Sequence, residues 1–279
     1  MRKWFLLFLL SSLSGGMFGQ LDLVELRERY NAGQISDVLE ILPDPASAEF
    51  VYLKADCFHK LGNFDEALVL YNQALKELPY NPQLILNAAI CNHSAGNYLD
   101  SDKGLTAVKK LTGNSPKINY YFGANRYMEG ELIQAVDYLN DALATDKEYF
   151  DAIYLLAACK AELGEREAAA ELYDQCAKLD PEMKRVNLNR ANLLFDDAKY
   201  AQALDVYSRL LTCKDRDVIK EAYYFRAACR FYLHDSEGAC EDWTAAAKMG
   251  DEDAREHVLT QCQGKTRKLK TRKSSYNAF

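Results

Sequence analysis

Apolar and small residues recur at three- and four-residue intervals through most of the chain, and that helical pattern is itself periodic. Gly62, Gly96, Gly130 and Gly164 stand 34 residues apart, and Ala198 takes the next place in the series. Five residues after each comes a small residue, Ala67, Ser101, Ala135, Ala169 and Ala203. Seven residues before each comes another, Ala55, Ala89, Gly123, Ala157 and Ala191. A fixed period of this length denotes a stack of like supersecondary units, not a single globular core.

One period, residues 48–81, shows what repeats. Residues 48–61 carry Val51, Ala55 and Phe58 on one apolar stripe, and Gly62-Asn63 breaks the helix where a tight turn is needed. Residues 65–78 form a second helix with Leu68, Tyr71, Ala74 and Leu75 on its buried side. Pro79 and Pro82 close the unit, because proline is tolerated at a helix start and not inside one. Ala55 and Ala67 let the two backbones approach closely, and Tyr71 fills the space beside them.

On these residues the chain resembles the tetratricopeptide repeat family. The run L-G-N-F-D-E-A-L-V-L-Y-N-Q-A-L-K-E-L-P from Leu61 follows that family's pattern, as does L-G-E-R-E-A-A-A-E-L-Y-D-Q-C-A-K-L-D-P from Leu163. The resemblance implies an all-α, right-handed solenoid of helical hairpins. Full units are expected to begin near Ala48, Pro82, Pro116, Phe150 and Lys184, with a sixth near Lys220 after two extra residues. That last unit keeps Ala227, Ala239, Trp243 and Ala246 in place. The unit from Pro82 departs most, with Ser101, Leu105 and Gly113 where the family prefers alanine, an aromatic and proline. Six repeats would thus occupy residues 48–253. A degenerate helical pair precedes them within residues 20–47, and a capping helix follows over residues 254–263, starting as early as Asp251.

Arg2 and Lys3 precede an apolar run from Trp4 to Leu10 and a small-residue exit, the order of a secretory signal peptide over residues 1–19. Cleavage after Gly16 or after Gly19 fits, and a signal anchor is the alternative. No other segment is apolar enough to span a membrane. The expected location is the periplasm or surface of a Gram-negative-like bacterium. Residues 264–279 form a basic tail with Lys265, Arg267, Lys268, Lys270, Arg272 and Lys273 and no acid. The whole chain has a formal charge of −7; without Arg2 and Lys3 it is −9, and the +6 tail then leaves −15 on the repeats. An acidic body argues against nucleic acid, whose phosphates need a basic face. The tail is expected to be disordered, either merely solvated or docking on an anionic surface or on an acidic partner, another copy of this chain included.

Eight cysteines in an exported chain suggest a disulfide framework, but their positions argue for buried thiols. Cys57, Cys91, Cys159 and Cys229 share one repeat place, and Cys176 replaces a packing alanine. If one bridge exists, Cys229 with Cys240 is the expected pair. His59, His93, His234 and His257 show no metal-ligand spacing, and no nucleophile or phosphate-loop motif is present. Neither an enzyme, a cofactor nor a metal site is expected. The acidic pairs Asp196-Asp197 and Asp251-Glu252 sit where solvation explains them.

In the family this chain resembles, the fifth and twelfth places of each unit face a concave groove. The fifth places hold Tyr52, Leu86, Tyr120, Tyr154, Leu188 and Tyr224. The twelfth hold His59, His93, Tyr127, Ala161, Phe195 and Phe231. The resemblance therefore implies a partner-binding groove lined by these rings, taking an extended or helical apolar segment along Tyr120, Tyr127, Tyr154 and Phe195. The alternative for the rings is that they bury against neighbouring helices and complete the core. The function expected is a protein-binding scaffold or assembly factor of the envelope. A polysaccharide-binding module, or an accessory subunit positioning an enzyme, is the alternative.

Overall fold

The computed structural model describes residues 22–42, 47–181, 183–262 and 276. They form an all-α architecture of helical hairpins, with no strand among the described residues. The expected signal peptide and the basic residues Lys265 to Lys273 lie outside the described residues. Among the described residues no helix is long and apolar enough to cross a membrane.

Two compact units divide the chain, Met1–Gly113 and Asn114–Phe279. The first contains α1 (Leu23–Asn31), α2 (Ile35–Ile41), α3 (Ala48–Lys60), α4 (Phe64–Glu77), α5 (Pro82–Ser94) and α6 (Tyr98–Thr112). The second contains α7 (Pro116–Met128), α8 (Leu132–Thr145), α9 (Phe150–Glu162), α10 (Arg166–Leu179) and α11 (Lys184–Asp196). It continues with α12 (Tyr200–Leu210), α13 (Arg216–Tyr232), α14 (Ser236–Lys248), α15 (Glu252–His257) and a π-helical turn, Val258–Cys262. Five first helices start on the residues the periodicity marks. The sixth does not: α13 begins at Arg216, four residues ahead of Lys220, because Asp215 caps it by accepting from the Asp217 and Val218 amides. The inserted residues become an extra helical turn instead of a longer loop.

The turn inside each hairpin is the same object throughout. At the first, the Asn63 amide donates to the Phe58 carbonyl and the Gly62 amide to that of His59, which satisfies carbonyls the helix end leaves open. The pattern needs a left-handed residue, and Gly62, Gly96, Gly130 and Gly164 have φ between 78° and 82°. Ala198 and His234 hold the same place at φ 59° and 68°, so these two hairpins carry the strain of a side chain there.

Packing between paired helices follows the small residues. Ala55, Ala67, Ala157, Ala169, Ala191 and Ala203 are wholly buried. At Gly123 an added Cβ would stand 2.9 Å from Leu139 Cγ and 3.3 Å from the Ala135 carbonyl, so α7 and α8 meet too closely for alanine. Equivalent large side chains, Tyr71 and Leu105 in the first unit and Leu139, Tyr173, Tyr207 and Trp243 in the second, fill the space beside these contacts with no exposure at all. Ser101 is equally buried, so the departures in the unit from Pro82 are accommodated within the same packing.

Cys57, Cys91, Cys159, Cys176 and Cys229 are buried free thiols, as their places suggest. One disulfide exists, and it is Cys240 with Cys262, Cα atoms 5.7 Å apart. The expected Cys229–Cys240 pairing is wrong because Cys229 belongs to the core cluster of α13, whereas Cys240 is only half-buried on α14. The bridge ties the closing π-turn to α14. Asp251 is likewise not merely solvated: it is buried and caps α15 through the Ala254 amide.

Candidate functional site

The first helices place the predicted groove residues in two sets. Tyr52, Tyr120, Tyr154, Leu188, Phe195 and Tyr224 are buried. Leu86, His59, His93, Tyr127 and Phe231 are half-buried, and Ala161 is buried. Within each unit the fifth-place rings thus form a buried floor, and the accessible side chains are mainly the twelfth-place ones.

Hydrogen bonds fix that floor. The Asn87 side-chain amide donates to the Tyr52 hydroxyl at 3.0 Å and to the Asp56 carboxylate at 2.9 Å. The Tyr71 hydroxyl also donates to Asp56, at 2.7 Å, and Arg27 reaches the same carboxylate at 3.3 Å. Arg27 lies over the Tyr52 ring, 4.6 Å from its centroid. In the second unit Asn189 donates to the hydroxyls of Tyr154 and Tyr173, both at 3.0 Å. The Tyr207 hydroxyl donates to Asn192 at 2.7 Å. Tyr52, Asp56, Tyr71, Tyr154, Tyr173, Asn189, Asn192 and Tyr207 are buried and paired, and the half-buried Asn87 and Arg27 complete the set, which holds each ring in one orientation.

A simple rule orders these contacts across repeat boundaries. Tyr52 meets Asn87 and Tyr154 meets Asn189, each 35 residues on, one residue beyond a full period. The twelfth places do the same. The Tyr127 hydroxyl donates to Glu162 at 2.5 Å, and His59 Nε2 stands 3.4 Å from the Ser94 hydroxyl. The partners Asn87, Asn189, Glu162 and Ser94 were not singled out from sequence. Their signal was a polar residue at the sixth or thirteenth place of the following unit.

His59 also lies 3.4 Å from the Tyr71 hydroxyl through Nδ1, and its ring meets Phe64 edge-on. Burial holds its imidazole below the ordinary histidine pKa, partly offset by the Asp56 charge. Among the described residues no group of three or more side chains is placed to hold a metal ion.

One further residue reaches this surface from the C-terminal segment. Tyr276 is 3% exposed and packs in the cluster that contains Tyr154, Tyr173 and Leu193, with Tyr127 at its edge. Its hydroxyl donates to the Asp196 carboxylate, and its main-chain carbonyl lies 3.2 Å from the Tyr127 hydroxyl. Asp196 thus has a structural partner beyond solvent, and Tyr276 departs from the expectation of a wholly solvated tail. An aromatic fourteen residues past Cys262, where the closing turn ends, was its only sequence signal.

Tetratricopeptide repeat family models match residues 48–81 and 160–218. Both segments are tetratricopeptide repeats. The fold agrees: a tetratricopeptide repeat protein from Parabacteroides merdae has a TM-score of 0.64 at 17% identity, covering 86% of this chain and 98% of that one. A chain of the APC/C hetero-tetramer Cut9-Hcn1 has a TM-score of 0.71 at 13% identity, covering 88% of this chain and 49% of that one. The BBSome complex member BBS4 of Bos taurus is 25% identical over 167 residues, 60% of this chain and 32% of the relative. The chain thus spans about a third of the length of that curated relative. Proteins built from tetratricopeptide repeats generally act as protein-interaction scaffolds.

Proposed function

We propose that this chain is a non-enzymatic protein-binding scaffold or assembly factor of a bacterial envelope, taking a partner segment on its first-helix face. The carrying observation is a face whose floor is locked and whose edge is accessible. Tyr154 is held by Asn189, while Tyr127 and Phe231 remain half-buried. A surface already fixed in one arrangement loses little entropy on binding, and half-exposed rings supply rigid contact area. The Cys240–Cys262 bridge supports the exported location, since disulfides persist in oxidising compartments.

The test is affinity capture from envelope extract with the full chain, repeated with Tyr127→Ser and Phe231→Ser. Each substitution is expected to weaken capture of the same partner by roughly tenfold, the scale of a hot-spot residue, with helicity unchanged. Undiminished capture by both folded variants would remove the face from consideration. Fractionation of cells expressing the native chain tests the location, and a cytoplasmic signal overturns it.

A further inference from the structure

The side-chain hydrogen bonds described above between first helices join neighbouring repeats, 29 to 35 residues apart. Tyr276 does something different. Its carbonyl meets Tyr127 on α7 and its hydroxyl meets Asp196 at the end of α11, so one residue bridges helices two repeats apart, over α9. Its partners lie 149 and 80 residues away in sequence. This is how a ligand sits on a stack, not how a repeat packs.

The subsite has a definite chemistry. Tyr154, Tyr173 and Leu193 belong to the packed bed around the ring, and the Asp196 carboxylate accepts a hydrogen bond from its hydroxyl. Burial and the Asp196 charge raise the Tyr276 pKa well above the ordinary tyrosine value, so the hydroxyl stays protonated and remains a donor. Asp197 is adjacent, and Arg166 pairs with it at 3.6 Å. Lys199 also pairs with Asp197, at 3.1 Å, so the discrimination falls on the Asp196 carboxylate, which accepts from a neutral phenol and repels a phosphorylated one. Phenylalanine would fill the bed but leave Asp196 without that donor.

We propose that Tyr276 is an intramolecular ligand: the C-terminal segment fills a tyrosine-reading subsite on the first-helix face, and a partner segment using that site must present an unmodified tyrosine and displace it. The inference rests on the reading of this face as the partner surface. Residues 263–275 tether the ligand to Cys262, which the disulfide fixes to α14. Because ligand and subsite belong to one chain, their encounter is intramolecular and does not depend on protein concentration. A partner segment therefore binds only if its affinity exceeds that internal competition, and the C-terminal segment sets a threshold for occupancy.

The experiment uses full-length chains and a fluorescent synthetic peptide of residues 265–279 as probe, read by anisotropy. The Tyr276→Ala chain is expected to bind the probe at least tenfold more tightly than the wild-type chain, whose site is filled. A probe phosphorylated at the tyrosine, or carrying phenylalanine there, is expected to bind at least fivefold more weakly. Adding Asp196→Ala to the Tyr276→Ala chain, which removes the acceptor, should remove the preference for tyrosine over phenylalanine. Equal binding by the two chains, or none by Tyr276→Ala, overturns the proposal. If Tyr276→Ala loses helicity, Tyr276→Phe keeps the ring and removes only the donor. That chain should bind the tyrosine probe at least threefold more tightly than wild type, and no difference overturns the proposal. Probe exchange together with undiminished partner capture by the folded Tyr127→Ser and Phe231→Ser variants would support the internal ligand while removing the face as the partner surface. The converse pair of results would overturn the internal ligand alone.

Discussion

Asn189 donates its side-chain amide to the hydroxyls of Tyr154 on α9 and Tyr173 on α10, both at 3.0 Å, and so ties one repeat to the next at a buried point. Removing the amide leaves two hydroxyls without that donor in a site water does not reach. Asn189→Leu is therefore expected to destabilise the second unit by about 1–3 kcal/mol, the cost of unsatisfied buried polar groups. Tyr154→Phe in that background should recover part of the loss, since it removes one of the groups. Urea denaturation of the single and double variants checks this, and additive losses would count against the linkage.

The cysteines give a second expectation. Burial pushes the Cys57 thiol up to about 11 and those of Cys91, Cys159, Cys176 and Cys229 up to about 12, so at neutral pH almost none is a thiolate. In the native chain Cys213, which is half-buried, should alkylate first. Denatured but unreduced chain should take six labels, and reduction should add two. Mass spectrometry reads the count directly. Because the folded state holds these thiol protons more tightly, stability should also fall as pH rises above about 9.

His59 sets an acid limit on the first unit. Its folded pKa lies below the ordinary value, so the unfolded chain takes up the proton first and stability is fully present above about pH 6.5. It is lost progressively as pH falls below that value. The first-unit unfolding midpoint should drop between pH 7 and pH 5.5, and the drop should be smaller in His59→Gln. Equal slopes in both chains would show that another group carries the effect.

The hairpin turns can be exchanged. Gly164→Ala places a side chain at φ 82° and is expected to cost about 1–2 kcal/mol. Ala198→Gly relieves the same strain at φ 59°, but the added glycine raises the entropy of the unfolded chain by about 0.4–1 kcal/mol. Its net gain should stay below 1 kcal/mol. Thermal midpoints of the two variants should move in opposite directions.

The hairpins were legible because their determinants are local. Gly62 and its equivalents supply positive φ, and Ala55 and Ala67 mark the close approach; both signals lie within one period. The start of α13 was misplaced because its cap, Asp215, lies in the insertion that breaks the period. The disulfide was misassigned because helical place alone does not reveal which side of α14 Cys240 occupies. Tyr276 could not be placed at all: its contacts to Tyr127 and Asp196 span 149 and 80 residues, and no periodicity reports such distances.

The contacts that run one residue past a full period have an evolutionary corollary. Tyr52 finds Asn87, and Tyr154 finds Asn189, only while the spacing between them stays at 35. Deleting or inserting one residue within such a spacing would turn the partner about 100° around its helix. Duplication or loss of whole 34-residue blocks keeps the register of these contacts, and keeps a given pair wherever both of its repeats stay adjacent. The two extra residues before α13 survive because they wind into helix ahead of the packed face. Growth of this chain is thus quantised: whole repeats can be exchanged, while small length changes are confined to the junctions.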